Sequence, residues 1–221
     1  MNLAVFDLDH TLLDGDSDYL WGQFLVEQGL VDGPEYERRN REFYLQYQAG
    51  TLDIQEFASF SMAPLAANDL ALLQRMRAQF VETRILPCVA AGARPLLARH
   101  RAAGDTLLIT TATNRFITEP IAALLGVEHL IATEPEMSGG RYTGRLAGVA
   151  NYREGKVFRL REWLAGASRQ YELISCYSDS QNDLPLLEFA GRPCAVDPDA
   201  ILRAEADKRG WPVISLRTNP G

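Results

Sequence analysis

The sequence predicts an α/β fold, a doubly wound parallel sheet interrupted by an inserted all-helical block. Three observations predict it. From about residue 86 onward, short apolar runs alternate with helical patterns, as repeated strand–helix units do. Three apolar runs, Leu3 to Phe6, Leu107 to Ile109 and Leu173 to Tyr177, each lead directly into acids or hydroxyls. In an open parallel sheet all such strands end on one edge, and ligands bind there. Between about Ser17 and Arg84 the alternation stops and every segment reads as helix.

Taken in order, Leu3 to Phe6 is a short continuous apolar run, the pattern of a strand buried on both faces. Helices are expected over Tyr19 to Gln28, Glu35 to Gln48, Ile54 to Met62 and Leu70 to Phe80, punctuated by Gly29, Gly33-Pro34 and Gly50. A doubly wound fold rarely waits so long for its second strand. The block is therefore expected to form a cap over the strand-end edge, dividing the chain into a core of residues 1–16 and 85–221 and a cap of residues 17–84. Arg94 to Ala103 is helical and stops at Gly104, Thr106 to Thr110 is a strand, and Asn114 to Leu125 is a helix closed by Gly126. After a strand at His129 to Ala132, Gly139 to Gly144 reads as a turn or flap. The remainder is a helix from Lys156 to Leu164, the strand ending at Tyr177 and a helix from Asp183 to Phe189. Closing strands at Ala195-Val196 and Val213 to Leu216 then flank a helix from Asp199 to Lys208.

Composition narrows the function classes. The net charge of −7 argues against an extended nucleic-acid surface, which needs clustered Lys and Arg. Arg38, Arg39 and Arg41 do cluster, but Glu37 and Glu42 flank them as on a solvated helix face. No apolar run approaches the roughly 20 residues of a membrane span. The N-terminal Asn2 to Phe6 is strand-like and lacks the basic region of a signal peptide, so a cytoplasmic protein is expected. Cys88, Cys176 and Cys194 form no C-x-x-C pair, which argues against a zinc site or disulfide framework.

Four islands carry chemistry: Asp7-Leu8-Asp9-His10-Thr11, Thr111-Ala112-Thr113, Lys156, and Asp179-Ser180-Gln181-Asn182-Asp183. A carboxylate is ionised at pH 7 and can attack phosphorus without first losing a proton. A dianionic phosphate approaches such a carboxylate only with charge compensation, which a fixed ammonium and a divalent cation supply. Asp179 and Asp183 offer the hard oxygens that suit Mg²⁺, an ion that takes few carboxylates and keeps several waters. A lysine at a helix start, as in Gly155-Lys156, opposes the macrodipole and points to a specific partner. Among Thr110, Thr111 and Thr113 the phosphate-contacting hydroxyl stays open by a position.

The order and spacing of these islands resemble the haloacid dehalogenase superfamily, in particular its phosphoserine-phosphatase-like branch, over nearly the whole chain. The extended form Phe6-Asp7-Leu8-Asp9-His10-Thr11-Leu12 is similar to the superfamily's first motif at each informative position. The resemblance implies a Rossmann-like core, with Asp7 as the nucleophile forming an aspartyl phosphate and Asp9 as general acid and base. His10 occupies a variable position of that motif. The resemblance also implies Mg²⁺ bound by Asp179, Asp7 and the backbone carbonyl of Asp9, with Asp183 at close range or through water. Lys156 would hold nucleophile and phosphate, Thr111 would donate to a phosphate oxygen, and Asn182 would add a polar contact to phosphate or lysine. Asp16 falls where phosphoserine phosphatases carry an acid that contacts the substrate amine, with Asp in place of the usual Glu. The expected activity is Mg²⁺-dependent hydrolysis of a small phosphate ester, such as phosphoserine or histidinol phosphate. Two rivals use similar residues: a phosphotransferase, which differs in its product, and a receiver-type signalling module, which needs neither Asp9 nor a cap.

Overall fold

The computed structural model describes residues 1–217; residues 218–221, the end of the expected core, lie outside the described part. The sheet has six strands, all parallel: β1 (Leu3–Phe6), β2 (Thr106–Asn114), β3 (His129–Thr133), β6 (Ile174–Ser178), β7 (Arg192–Val196) and β8 (Val213–Ile214). Their spatial order is β3-β2-β1-β6-β7-β8. The chain builds outward in one direction from β1, then returns to build outward in the other. That reversal beside β1 is the switch point at which doubly wound sheets open a crevice.

The two faces of β1 divide the core. Ala4 and Phe6 point into one apolar cluster and Leu3 and Val5 into another, following the two-residue period of a strand. On the first face lie α5 (Ala93–Ala102) and α6 (Arg115–Leu124), through Leu96, Leu97, Ile117 and Ile121. On the second lie α7 (Glu154–Gly166), α8 (Leu184–Phe189) and α9 (Ala200–Arg209), through Leu160, Leu187 and Leu202. Because both faces are covered, β1 reads as four consecutive apolar residues rather than an alternation.

Between β1 and β2 stand α1 (Ser17–Glu27), α2 (Gly33–Ala49), α3 (Ile54–Ala67) and α4 (Leu70–Phe80). Each starts after an aspartate. Asp16 accepts from the Tyr19 amide and Asp53 from those of Gln55 and Glu56, filling donors that a helix start leaves unpaired. Gly50 closes α2 in a left-handed conformation, φ 69°, which glycine adopts without a Cβ penalty. Tyr36, Phe43, Phe57 and Phe60 pack on one another within the block, but the block also shares the core of the sheet. Trp21 of α1 packs against Phe24, Phe80 and the core residue Phe116, and Leu73 and Phe80 join the same cluster as Phe6 and Ile109.

Two elements differ from expectation. The helix expected to end at Met62 continues through Pro64 to Ala67. Pro64 removes one backbone donor, but Leu65 just beyond it is fully buried, and Asn68 returns a hydrogen bond to the Pro64 carbonyl at 2.8 Å. The segment expected as a turn or flap is the tip of an antiparallel hairpin of β4 (Pro135–Ser138) and β5 (Arg141–Leu146), which packs on α3. No helix among the described residues is long and apolar enough to cross a membrane.

Candidate active site

Register brings the islands together. Phe6 pairs with Ile109 of β2 and Tyr177 of β6, so Asp7 emerges level with Thr110 and Ser178 at the carboxyl edge. The Asp7 amide still donates to the Tyr177 carbonyl at 2.9 Å, which fixes the point of exit. The chain then turns sharply, with His10 at φ 56°, and the Thr11 hydroxyl returns to the site. That hydroxyl donates to Asp179 Oδ1 at 2.9 Å and accepts from the Asp179 amide at 3.1 Å, joining the first and fourth islands.

Lys156 is the hub. Its side chain is 1% exposed, and Nζ donates to Asp7 Oδ1 at 2.8 Å and to Asp183 Oδ2 at 2.7 Å. The Ser178 hydroxyl donates to the same Asp183 oxygen at 2.7 Å. The entry into α7 is built for this placement. A Cβ at Gly155 would lie 2.2 Å from the Ala150 carbonyl oxygen, so only glycine fits directly before the lysine. Burial opposes the charge on Lys156, yet Asp183 and Asp7 together raise its pKa above the ordinary lysine value.

Asp9 is held by three donors: the Ser17 amide at 2.6 Å on Oδ1, and the hydroxyls of Thr113 at 2.9 Å and Thr111 at 3.3 Å on Oδ2. Strand alternation separates the three threonines by face. Thr111 and Thr113 face Asp9, whereas the Thr110 hydroxyl accepts from Asn151. Buried Asn151 also donates to the carbonyls of Thr111 and Ile131, pinning the ends of β2 and β3.

Four carboxylates and one ammonium leave a formal excess of negative charge. Burial pushes the Asp7 carboxyl up to about 7 against the pull of Lys156, with Asp183 and Asp9 adding to the rise. Asp179 is raised well above the carboxylate range by burial and by Asp7, against the Thr11 hydrogen bond. Among the described residues no three His, Cys, Asp or Glu side chains close into a metal cage. The donor set nonetheless fits Mg²⁺, which needs few protein ligands. Asp183 Oδ1 is buried without a partner, and the carboxylates of Asp7 and Asp179 lie on the same edge. A cation bound there stabilises the fold by mass action, about 2.7 kcal/mol at a hundred times Kd. Millimolar Mg²⁺ should therefore raise the thermal midpoint beyond any rise from Na⁺ at matched ionic strength. Equal shifts would remove the site.

A cavity of about 40 Å³ opens beside these groups, room for about three waters. Its wall includes Asp7, Asp9, Asp16, Asp18, Thr111 and Thr113, faced by Tyr19, Phe43, Tyr44, Tyr47 and Phe57 from α1, α2 and α3. Asp16 thus lines the cavity, although one of its oxygens also caps α1. His10 lies 3.4 Å from the Tyr44 hydroxyl, and burial lowers its pKa.

Asn182 departs from the expectation that it contacts phosphate or lysine. Its amide donates to the Tyr47 carbonyl at 2.9 Å, and its oxygen accepts from the Tyr152 hydroxyl and Arg153 Nε. It ties α2 to the core instead. Sequence reasoning assigned no role to Thr11, Ser178, Asn151 or Asp18, and kept Thr113 only as an alternative to Thr111. The two-residue offset of Thr113 from Thr111 is the signal that puts both on one side of β2; Asn151 carried no such signal.

The sequence model of the haloacid dehalogenase-like hydrolases matches residues 4–188. The chain belongs to the haloacid dehalogenase-like hydrolase family. It is an enzyme, a hydrolase of the phosphatase type within that family. A histidinol-phosphatase of Neisseria meningitidis serogroup C is 44% identical over 220 residues, 98% of this chain and 99% of that one. A Bordetella pertussis protein of unknown function has a crystal structure with a TM-score of 0.92 and 45% identity, covering 97% of this chain and 98% of its own. A substrate-bound phosphoserine phosphatase shares the fold, with a TM-score of 0.70 at 17% identity, over 96% of this chain and 92% of its own.

Proposed function

We propose that this family member is a Mg²⁺-dependent phosphomonoesterase acting through an aspartyl phosphate on a small ester that carries an amine and no carboxylate, histidinol phosphate being the best fit. The observation that supports the reaction is the pairing of Lys156 with Asp7 and Asp183, with Asp9 held by Thr111, Thr113 and Ser17 two positions from Asp7. In this reading Lys156 holds Asp7 Oδ1, leaving Oδ2 to attack phosphorus while the bond to the ester oxygen breaks. Asp9 gives its proton to the departing alkoxide and then takes one from the water that attacks the aspartyl phosphate, releasing phosphate and restoring Asp7. Thr111 and the Lys156 ammonium face the charge that develops on the phosphoryl oxygens. Asp7, Asp179, Asp183 and the Asp9 carbonyl would hold Mg²⁺, which supplies charge neutralisation when bound. The residues 17–84 act as the cap in this reading, with the core on either side.

The choice of ester rests on the cavity wall. It presents Asp16, Asp18 and an aromatic surface, and no lysine or arginine lines it among the described residues. An amine and an imidazole suit such a wall; the carboxylate of phosphoserine would meet acids and no cation. Like-charge juxtaposition costs several kcal/mol, so kcat/KM for histidinol phosphate should exceed that for phosphoserine by on the order of a hundredfold or more. Phosphate release from both esters, with Mg²⁺ and after chelation, measures this. Preference for phosphoserine would overturn the substrate, and undiminished turnover after chelation would overturn the metal.

A further inference from the structure

Asp18 is a buried acid that the reaction does not use. Its side chain is 8% exposed and lines the cavity, and its Oδ1 is buried with no hydrogen-bond partner. Another polar side chain on that wall, Asn40, gives its amide to the Tyr19 carbonyl and not to Asp18. Acids in the first turn of a helix commonly complement its dipole, but they do so in water or hydrogen-bonded. An uncompensated buried carboxylate is instead a burden on the fold, and groups of that kind concentrate where a ligand completes them. Burial, with Asp9 adding, pushes the Asp18 carboxyl up to about 7, which records the same lack of a partner.

Asp16 and Asp18 stand two residues apart at the start of α1, both on the cavity wall, across from Phe43, Tyr44 and Phe57. One acid suffices for one amine. A second, with an unpartnered oxygen on a wall that also carries aromatic rings, fits a second nitrogen donor on a flat ring. We infer that Asp18 is a specificity-determining residue whose carboxylate accepts a hydrogen bond from the ring nitrogen of an imidazole-bearing substrate, while Asp16 takes the aliphatic amine. This rests on the reading of the site as one for an amine-bearing phosphate ester. It adds a demand for a second nitrogen group and assigns the residue that reads it.

The test separates the two. Calorimetric titration of Mg²⁺-loaded wild type and Asp18→Asn uses histidinol and 2-aminobutan-1-ol, which keeps the amino alcohol but lacks the ring. Wild type should bind histidinol more tightly. Asp18→Asn should lose roughly ten- to a hundredfold in histidinol affinity, the worth of one charge-assisted hydrogen bond, with 2-aminobutan-1-ol unchanged. The thermal midpoint of unliganded Asp18→Asn should equal or exceed that of wild type, since the substitution removes an unpaired buried charge. Equal losses for both ligands, no wild-type preference for histidinol, or a lower midpoint in Asp18→Asn would overturn the assignment. None of these outcomes depends on turnover. Failure to release phosphate from histidinol phosphate would sink the substrate reading by itself, leaving the binding result to judge Asp18.

Discussion

Asp7→Asn should lower kcat by on the order of 10⁴-fold or more while leaving the protein folded, because an amide oxygen is a poor nucleophile toward phosphorus. The geometry makes the two effects separable. The asparagine oxygen can still accept from Lys156 Nζ where Asp7 Oδ1 does at 2.8 Å, so the tie across the site survives. Burial already holds the Asp7 carboxyl at about 7, so a neutral side chain relieves an unfavourable charge. The thermal midpoint should be unchanged or higher. Phosphate release and thermal unfolding on one preparation check both, and a folded Asp7→Asn protein with ordinary turnover would remove Asp7 as the nucleophile.

Lys156→Met should damage stability as well as turnover. The ammonium is the group that Asp7 and Asp183 share, and methionine leaves both carboxylates buried without it. Breaking a buried ion pair from one side typically costs 3–5 kcal/mol. In a chain of this size that is a fall in the thermal midpoint of about 6–20 °C. The sign with pH follows from the direction of the Asp7 shift. A carboxyl whose pKa is raised on folding gives stability that is present at low pH and lost as pH climbs through the folded value. Lys156 pulls the Asp7 value down, so its removal raises that value further. The stability deficit should therefore be larger at pH 8 than at pH 5, as read by denaturant titration at the two pH values. An equal deficit at both would assign the loss to packing of the lysine stem.

The parts of this molecule legible in the sequence are those where one physical demand dominates. Strands covered on both faces must be apolar throughout, so β1 and the start of β6 stand out, and the acids just past them mark the edge. Three of the four islands could be read because they are charged, and Thr111-Ala112-Thr113 because its hydroxyls follow an apolar run. Partners fixed only by the third dimension left no trace. Asn151 sits in an irregular stretch, and its importance comes from three acceptors on β2 and β3. Asp18 looks like any first-turn acid until its burial is known. Asn182 stands among catalytic candidates in sequence, while its hydrogen-bond partners in space are Tyr47 of α2 and Tyr152 and Arg153 before α7. The helix expected to end at Met62 runs on through Pro64 to Ala67, where Leu65 is fully buried. The helical block was legible as helix, but its sharing of an apolar cluster with the sheet was not, since periodicity says which face is buried and not against what.

The ties at the end of α2 have an energetic consequence. Gln181 donates to the Gln48 carbonyl and Asn182 to the Tyr47 carbonyl, each at 2.9 Å, on the last turn of α2, where a helix leaves carbonyls unpaired. In the proposed phosphatase reading, any shift of α2 that widened the aromatic wall for an ester would have to break these two bonds. Net worth of about 0.5–1.5 kcal/mol apiece makes them a weak restraint. A ligand would need a differential affinity of only that order to favour an arrangement in which they are broken. Both donors lie on the island that carries Asp179 and Asp183, one of them next to the lysine's partner. The tie between α2 and the core thus lies within a residue of Asp183, so a strain placed on one would be felt at the other.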